Sequence, residues 1–132
     1  MQERRDEPLE ALWGAYAEAY NSGDAEGCAA VFAEDGEIHS PYGPPIRGRS
    51  GIAAAHAEWF EDGEENKSLT VLRTETSGSL AMCLARYSAE VPQAGGAPET
   101  VGGVSLNTLR RQPDGTYLIT VCALVPDTNA TG

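Results

Sequence analysis

The chain has 132 residues and carries 20 acidic side chains against nine basic ones, a formal net charge of -11. That length fits one domain with a single buried core and is too short for two. The acidic field excludes nucleic acid and anionic membrane surfaces as partners, but leaves room for an uncharged ligand, because charges on a solvated face permit an apolar interior.

No stretch approaches the roughly 18 to 20 apolar residues that span a bilayer, and the opening MQERRDEPLE is charged where a secretory signal is apolar, so a cytoplasmic protein is expected. The three cysteines, Cys28, Cys83 and Cys122, are odd in number and far apart, which predicts small buried hydrophobes rather than disulfides. With two histidines on separate elements and no paired-carboxylate spacing, no metal centre is expected. The sequons at Asn66 and Asn129 carry no weight without a route to secretion.

Leu9, Leu12, Trp13, Tyr16 and Tyr20 fall at helical spacing and predict a first helix over residues 9–20, stopped by Asn21-Ser22-Gly23. Asp24 is placed to cap a short second helix whose inner side holds Cys28, Val31 and Phe32. Asp35-Gly36 then predicts a turn, 37–40 alternate as a strand, and Pro41 with Pro44-Pro45 breaks regular structure. Ile52, Ala55, His56, Trp59 and Phe60 predict a third helix over 50–60. From Ser68 the period becomes two, giving strands over about 68–77, 80–91, 102–112 and 116–125. Gly78-Ser79 and Pro113-Asp114-Gly115 read as hairpin turns, and 93–103 as a longer loop in which Gly95-Gly96 and Gly102-Gly103 supply flexibility. Helices first and strands after predict an α+β architecture in which a curved sheet covers its concave face with the N-terminal helices.

Tyr16 followed by AEAYNSGDAEGCAAVFAEDGEI, then SPYG, then IRGRSGI, and LNTLRRQPDGTYLI near the C-terminus, resembles the nuclear transport factor two-like superfamily. More narrowly, the chain is similar to its SnoaL-like, SgcJ/EcaC and ketosteroid isomerase branches, over about residues 9–125. The resemblance implies a cystatin-like, cone-shaped barrel: a strongly curved antiparallel sheet covered by three N-terminal helices, one SnoaL-like domain over residues 1–132. It implies a homodimer through the convex face of the sheet, and a pocket between the concave face and the helices, with the corner at Ser40-Pro41-Tyr42-Gly43 on its rim.

The same resemblance places Tyr16 where the isomerase branch has a tyrosine oxyanion donor, and Asn107 where it has a second donor. His56 falls where a supporting tyrosine stands, and Ser40 where the catalytic aspartate stands. A serine without an adjacent base cannot abstract an α-proton at useful rates near neutral pH, so the usual isomerase route is in doubt. His39 is set against replacing it, because alternation turns it away from Ile38 and Ser40. Arg86 reads as a surface or interface residue.

The resemblance thus implies a cofactor-independent isomerase, cyclase or dehydratase acting on a hydrophobic carbonyl-bearing compound, polyketide or steroid-like, in secondary metabolism. Tyr16, His56 and Asn107 would polarise an oxygen, while Trp13, Phe32, Ser40, Tyr42, Trp59 and Leu124 would contact the guest. The alternatives are a non-catalytic ligand-binding protein of the same fold and a dimerising module whose hole is plugged by its own aromatic side chains.

Overall fold

Leu9, Leu12, Trp13, Tyr16 and Tyr20 form one buried stripe along α1 (Gln2–Asn21), as their spacing predicts. The structure, a computed structural model, describes residues 2–127, with side chains from residue 8 onward. It begins α1 earlier than the apolar pattern does and carries the helix through Pro8. The expected stop is present, with Gly23 at φ +73°. Asp24 then caps α2 (Ala25–Ala30), its Oδ1 accepting from the Gly27 N–H at 2.9 Å. The third helix, α3 (Gly48–Glu61), buries Ile52 and His56 and ends before Gly63, at φ +87°.

Six strands follow the order β2-β1-β6-β5-β4-β3 among the described residues. They are β1 (Phe32–Ser40), β2 (Gly43–Arg47), β3 (Glu65–Ser77), β4 (Leu80–Gln93), β5 (Gly96–Arg111) and β6 (Tyr117–Pro126). Every neighbouring pair is antiparallel except β1 with β6, which is parallel. The expected turn at Asp35-Gly36 is instead a bulge inside β1, where the register against β6 jumps between Phe32 and Glu37.

Two local expectations are corrected. Pro44 and Pro45 do not end regular structure but lie inside β2. That strand is at the sheet edge, and its register partners Gly43, Ile46 and Arg47 flank the prolines, so the missing N–H groups are not needed. The expected loop over 93–103 is a continuation of the β4–β5 hairpin, closed by Gln93 opposite Gly96 with Gly95 at φ +74°. Gly102 and Gly103 serve close approach there rather than flexibility: a Cβ on Gly103 would sit 2.4 Å from the Val125 carbonyl oxygen and one on Gly102 2.6 Å from that of Tyr87.

The helices lie across one face of this sheet, α1 against β3 and β6 and α3 against β1 and β2. Between them sits the core, built on the α1 stripe, Cys28, Phe32, Ile38, Ile52, Leu109 and Ile119. All three cysteines are free and buried in it, as expected. On the opposite face Leu106 and Val125 stay exposed, at 45% and 56%. The glycine contacts predict that Gly103→Ala lowers the melting temperature by several degrees, a loss of about 1–3 kcal/mol from overpacking. Gly14→Ala, inside α1 with nothing within 4 Å of the added methyl, should instead raise stability by about 0.5–1 kcal/mol. Paired thermal melts check both.

Candidate functional site

The helix layer and the inner face of the sheet enclose a chamber, and six of the nine residues expected to act there line it: Trp13, Tyr16, Phe32, Trp59, Asn107 and Leu124. Lys67 and Leu69 of β3, Tyr87 of β4 and Ser105 of β5 complete much of the wall. The part wide enough for water is about 40 Å³, whereas the whole depression with its mouth encloses about 450 Å³. A guest larger than a few water molecules therefore occupies the mouth or displaces side chains.

The other three expected residues do not line the chamber. His56 is fully buried behind Tyr16. Tyr42 is 79% exposed, because it occupies the short turn from β1 to β2 and points away from the core. Ser40 ends β1 and its Oγ accepts from the Tyr42 N–H at 3.3 Å, the role of a turn residue. His39 faces outward as alternation requires, 2.8 Å from Glu37 Oε1, and Arg86 pairs on the surface with Asp127 at 2.9 Å.

Hydrogen-bond direction decides what the buried polar groups offer. The Nδ1 of His56 is 2.8 Å from the Ile52 carbonyl, which only accepts, so Nδ1 carries the proton. Burial lowers the imidazole pKa from 6.5 to about 4, so at neutral pH the ring is uncharged and Nε2 is an acceptor. The Tyr16 hydroxyl, 2.8 Å from that Nε2, therefore donates to His56. Burial also holds the Tyr16 phenol well above its ordinary pKa, so it keeps its proton. Tyr16 consequently turns only its oxygen lone pairs toward a guest. This corrects its expected role as an oxyanion donor.

Asn107 is reversed in the same way. Its Nδ2 donates to the Cys83 carbonyl at 3.2 Å and to Ser105 Oγ at 3.0 Å; the Cys83 carbonyl fixes which end of the amide is nitrogen. Its Oδ1 is buried without a partner, in a residue only 1% exposed. Asn107 thus has an unused acceptor in the chamber wall, where a donor was expected. The Trp13 indole N–H is likewise without a nitrogen or oxygen partner and lies against the weakly accepting Cys83 sulfur.

Lys67 is the wall residue that sequence reasoning passed over. It is the one lysine among nine basic residues, the other eight being arginine. The residue stands in a bulge, where Glu65 opposes Glu90 but Ser68 opposes Ser88, and Asn66 takes φ +55°. The one available signal is spacing: Lys67 stands two residues before the inner Leu69, but the bulge interrupts the alternation just there. A strand that begins at Ser68, as the period of two predicts, leaves Lys67 outside it, within the sequon Asn66-Lys67-Ser68.

Among the described residues there is no group of three or more His, Cys, Asp or Glu side chains able to hold a metal ion, and no helix long and apolar enough to cross a membrane. Because His56 binds its proton only near pH 4 when folded but near 6.5 when unfolded, its contribution to stability is complete above about pH 6.5. It falls as pH drops from there toward 4, by about 3 kcal/mol in all. Denaturant titrations across that range should give a steeper pH dependence for the wild type than for His56→Gln.

The SnoaL-like domain model matches residues 13–116. Solved structures give the same fold. A variant of Rv3472, a function unknown protein from Mycobacterium tuberculosis, superposes with a TM-score of 0.86 at 25% identity, over 98% of this chain and 76% of that one. An NTF2-like protein with a cystatin-like fold from Novosphingobium aromaticivorans gives 0.78 at 24%, over 98% and 87%. A ketosteroid isomerase-like protein from Erwinia carotovora atroseptica gives 0.78 at 20%, over 91% and 94%. With the domain match spanning most of its length, the chain belongs to the SnoaL-like domain family, and its fold is that of the NTF2-like protein with a cystatin-like fold.

Proposed function

We propose that this chain binds and transforms a hydrophobic carbonyl-bearing small molecule, polyketide or steroid-like, by a cofactor-independent isomerisation, cyclisation or dehydration in secondary metabolism, in the cytoplasm. The observation that carries the reading is the unpartnered Oδ1 of Asn107 in an apolar wall. A buried polar oxygen left without a partner costs about 1–3 kcal/mol, and a guest bearing an O–H or N–H beside its carbonyl would recover that loss. The likeness to a ketosteroid isomerase-like protein supports the reaction class only as an analogy of fold. Since the water-wide interior is about 40 Å³, a fused-ring guest requires Trp13 or Trp59 to swing aside, whereas a single ring needs less movement.

A second reading, a carrier or a plugged dimerising module, is favoured by a different observation. No carboxylate lines the chamber among the described residues, and the protons of Tyr16 and the Asn107 amide are already committed inside the protein. The two readings separate on the α-protons of a bound ketone. With 2-hydroxy-1-tetralone, which carries an O–H beside its carbonyl, in deuterated buffer, a catalyst of enolisation speeds α-proton exchange, and Asn107→Leu, which removes the acceptor for that O–H, should slow it by about 10- to 100-fold. A carrier binds the ketone without exchange; a plugged module leaves both the tryptophan fluorescence and the melting temperature unchanged. Both tryptophans of the chain line the chamber, so their emission reports directly on occupancy.

We also propose a homodimer through the convex face of the sheet, on the exposed Leu106 and Val125. Leu106→Lys should convert a dimer into a monomer by light scattering; a wild-type monomer at high micromolar concentration would contradict the proposal.

A further inference from the structure

The chamber has turned its expected donors inward on the protein, and the cation it does present is Lys67. Several features aim and hold this side chain. The bulge of β3, with Asn66 in a left-handed conformation, adds one residue against β4 and redirects the strand at this point. The Asn21 amide then clasps the Lys67 backbone from both sides: Oδ1 accepts the Lys67 N–H at 2.7 Å and Nδ2 donates to its carbonyl at 3.1 Å. Nζ lies 4.6 Å from the ring centroid of Tyr20 and 4.8 Å from that of Tyr87, so two aromatic faces flank the ammonium.

Those rings hold a cation without neutralising it. Among the described residues Lys67 Nζ makes no hydrogen bond and no ion pair. The nearby carboxylate, Glu64, instead accepts from the Tyr20 hydroxyl. A partly buried ammonium with no ion pair and no hydrogen bond, in a protein of net charge -11 that uses arginine for all its other basic side chains, is left with only the through-space field of Glu64.

We propose that Lys67 is the anion-holding residue of the chamber, pairing with a negatively charged oxygen of the guest, a carboxylate or the enolate or phenolate of an acidic carbonyl compound. This rests on the reading that the chamber takes a guest. It deepens that reading by giving the guest an anionic oxygen at Lys67 and a hydroxyl or amide proton for Asn107 Oδ1. It also moves the oxyanion-stabilising role from Tyr16 and Asn107 to a residue on β3. Burial lowers the Lys67 pKa, and an anionic guest raises it again.

The single lysine makes the test selective. Reductive methylation with 13C-formaldehyde labels Lys67 and the terminal amine, and leaves Lys67 positively charged. Spectra are followed while 3-phenylpropanoate or its neutral methyl ester is added, and affinities are measured on unmodified protein by tryptophan fluorescence. The expected result is a shift of the Lys67 dimethylammonium signal with the acid alone, and at least tenfold tighter binding of the acid than of the ester. Lys67→Met should abolish that preference and Lys67→Arg should keep most of it. If acid and ester bind alike and Lys67→Met changes neither, the Lys67 proposal fails while the chamber reading stands. If neither compound shifts the signal, the fluorescence or the melting temperature, both fail. The NMR readout on the wild-type sequence stands even if a Lys67 variant does not fold.

Discussion

One hydrogen-bond chain organises the interior: the His56 Nδ1–H donates to the Ile52 carbonyl, which leaves Nε2 to accept from the Tyr16 hydroxyl. Both distances are 2.8 Å, and the groups are buried where an unmade hydrogen bond is costly. The chain ties α1 to α3 across the roof of the chamber. It also polarises the site in one direction, because a neutral imidazole donates at one nitrogen only. Tyr20 and Trp59 pack edge-on against the same imidazole, with Phe60 edge-on to Tyr20 behind it, which keeps water from supplying an alternative partner.

The rest of the wall answers that constraint. With the phenol and the Asn107 amide N–H groups bound to the protein, the two expected donors are spent, and the charged group left in the apolar lining is the Lys67 ammonium. Electrostatically this differs from a pocket with two neutral donors. Neutral donors favour charge only as it develops, whereas an ammonium also favours an anion already formed. Such a chamber suits acidic guests better than neutral ketones, even though the outer surface of the protein is strongly acidic.

The helices and the long strands were legible because burial imposes period 3.6 or period 2 on many residues at once, and no single exception erases the pattern. The stripe from Leu9 to Tyr20 and the cap at Asp24 are examples. What escaped depends on context. Pro44 and Pro45 read as breakers because tolerance for them comes from the edge position of β2, which only topology provides. Gly102 and Gly103 read as flexible because the carbonyls that press on them come from neighbouring strands. Membership of the chamber was legible for Trp13, Tyr16, Asn107 and others from their faces, but the direction of each hydrogen bond was not, since it is set by partners 24 and 40 residues away in the chain. Tyr42 was misplaced for the same reason: a turn residue follows no face. Lys67 lay at a bulge, where alternation is locally broken and a lysine reads as solvated by default.

The polarity of the chamber is set by the protonation of one ring, and the chain has only two histidines, His39 and His56, so 15N-labelled histidine gives a readable spectrum. Long-range 1H–15N correlation between pH 5 and 8 should show one ring locked as the neutral Nδ1–H form, with an acceptor-type Nε2 that loses its hydrogen-bond shift in Tyr16→Phe. An Nε2–H form or an imidazolium at pH 7 would free the Tyr16 proton for a guest, and would contradict the direction of the chain on which the chamber's chemistry is built.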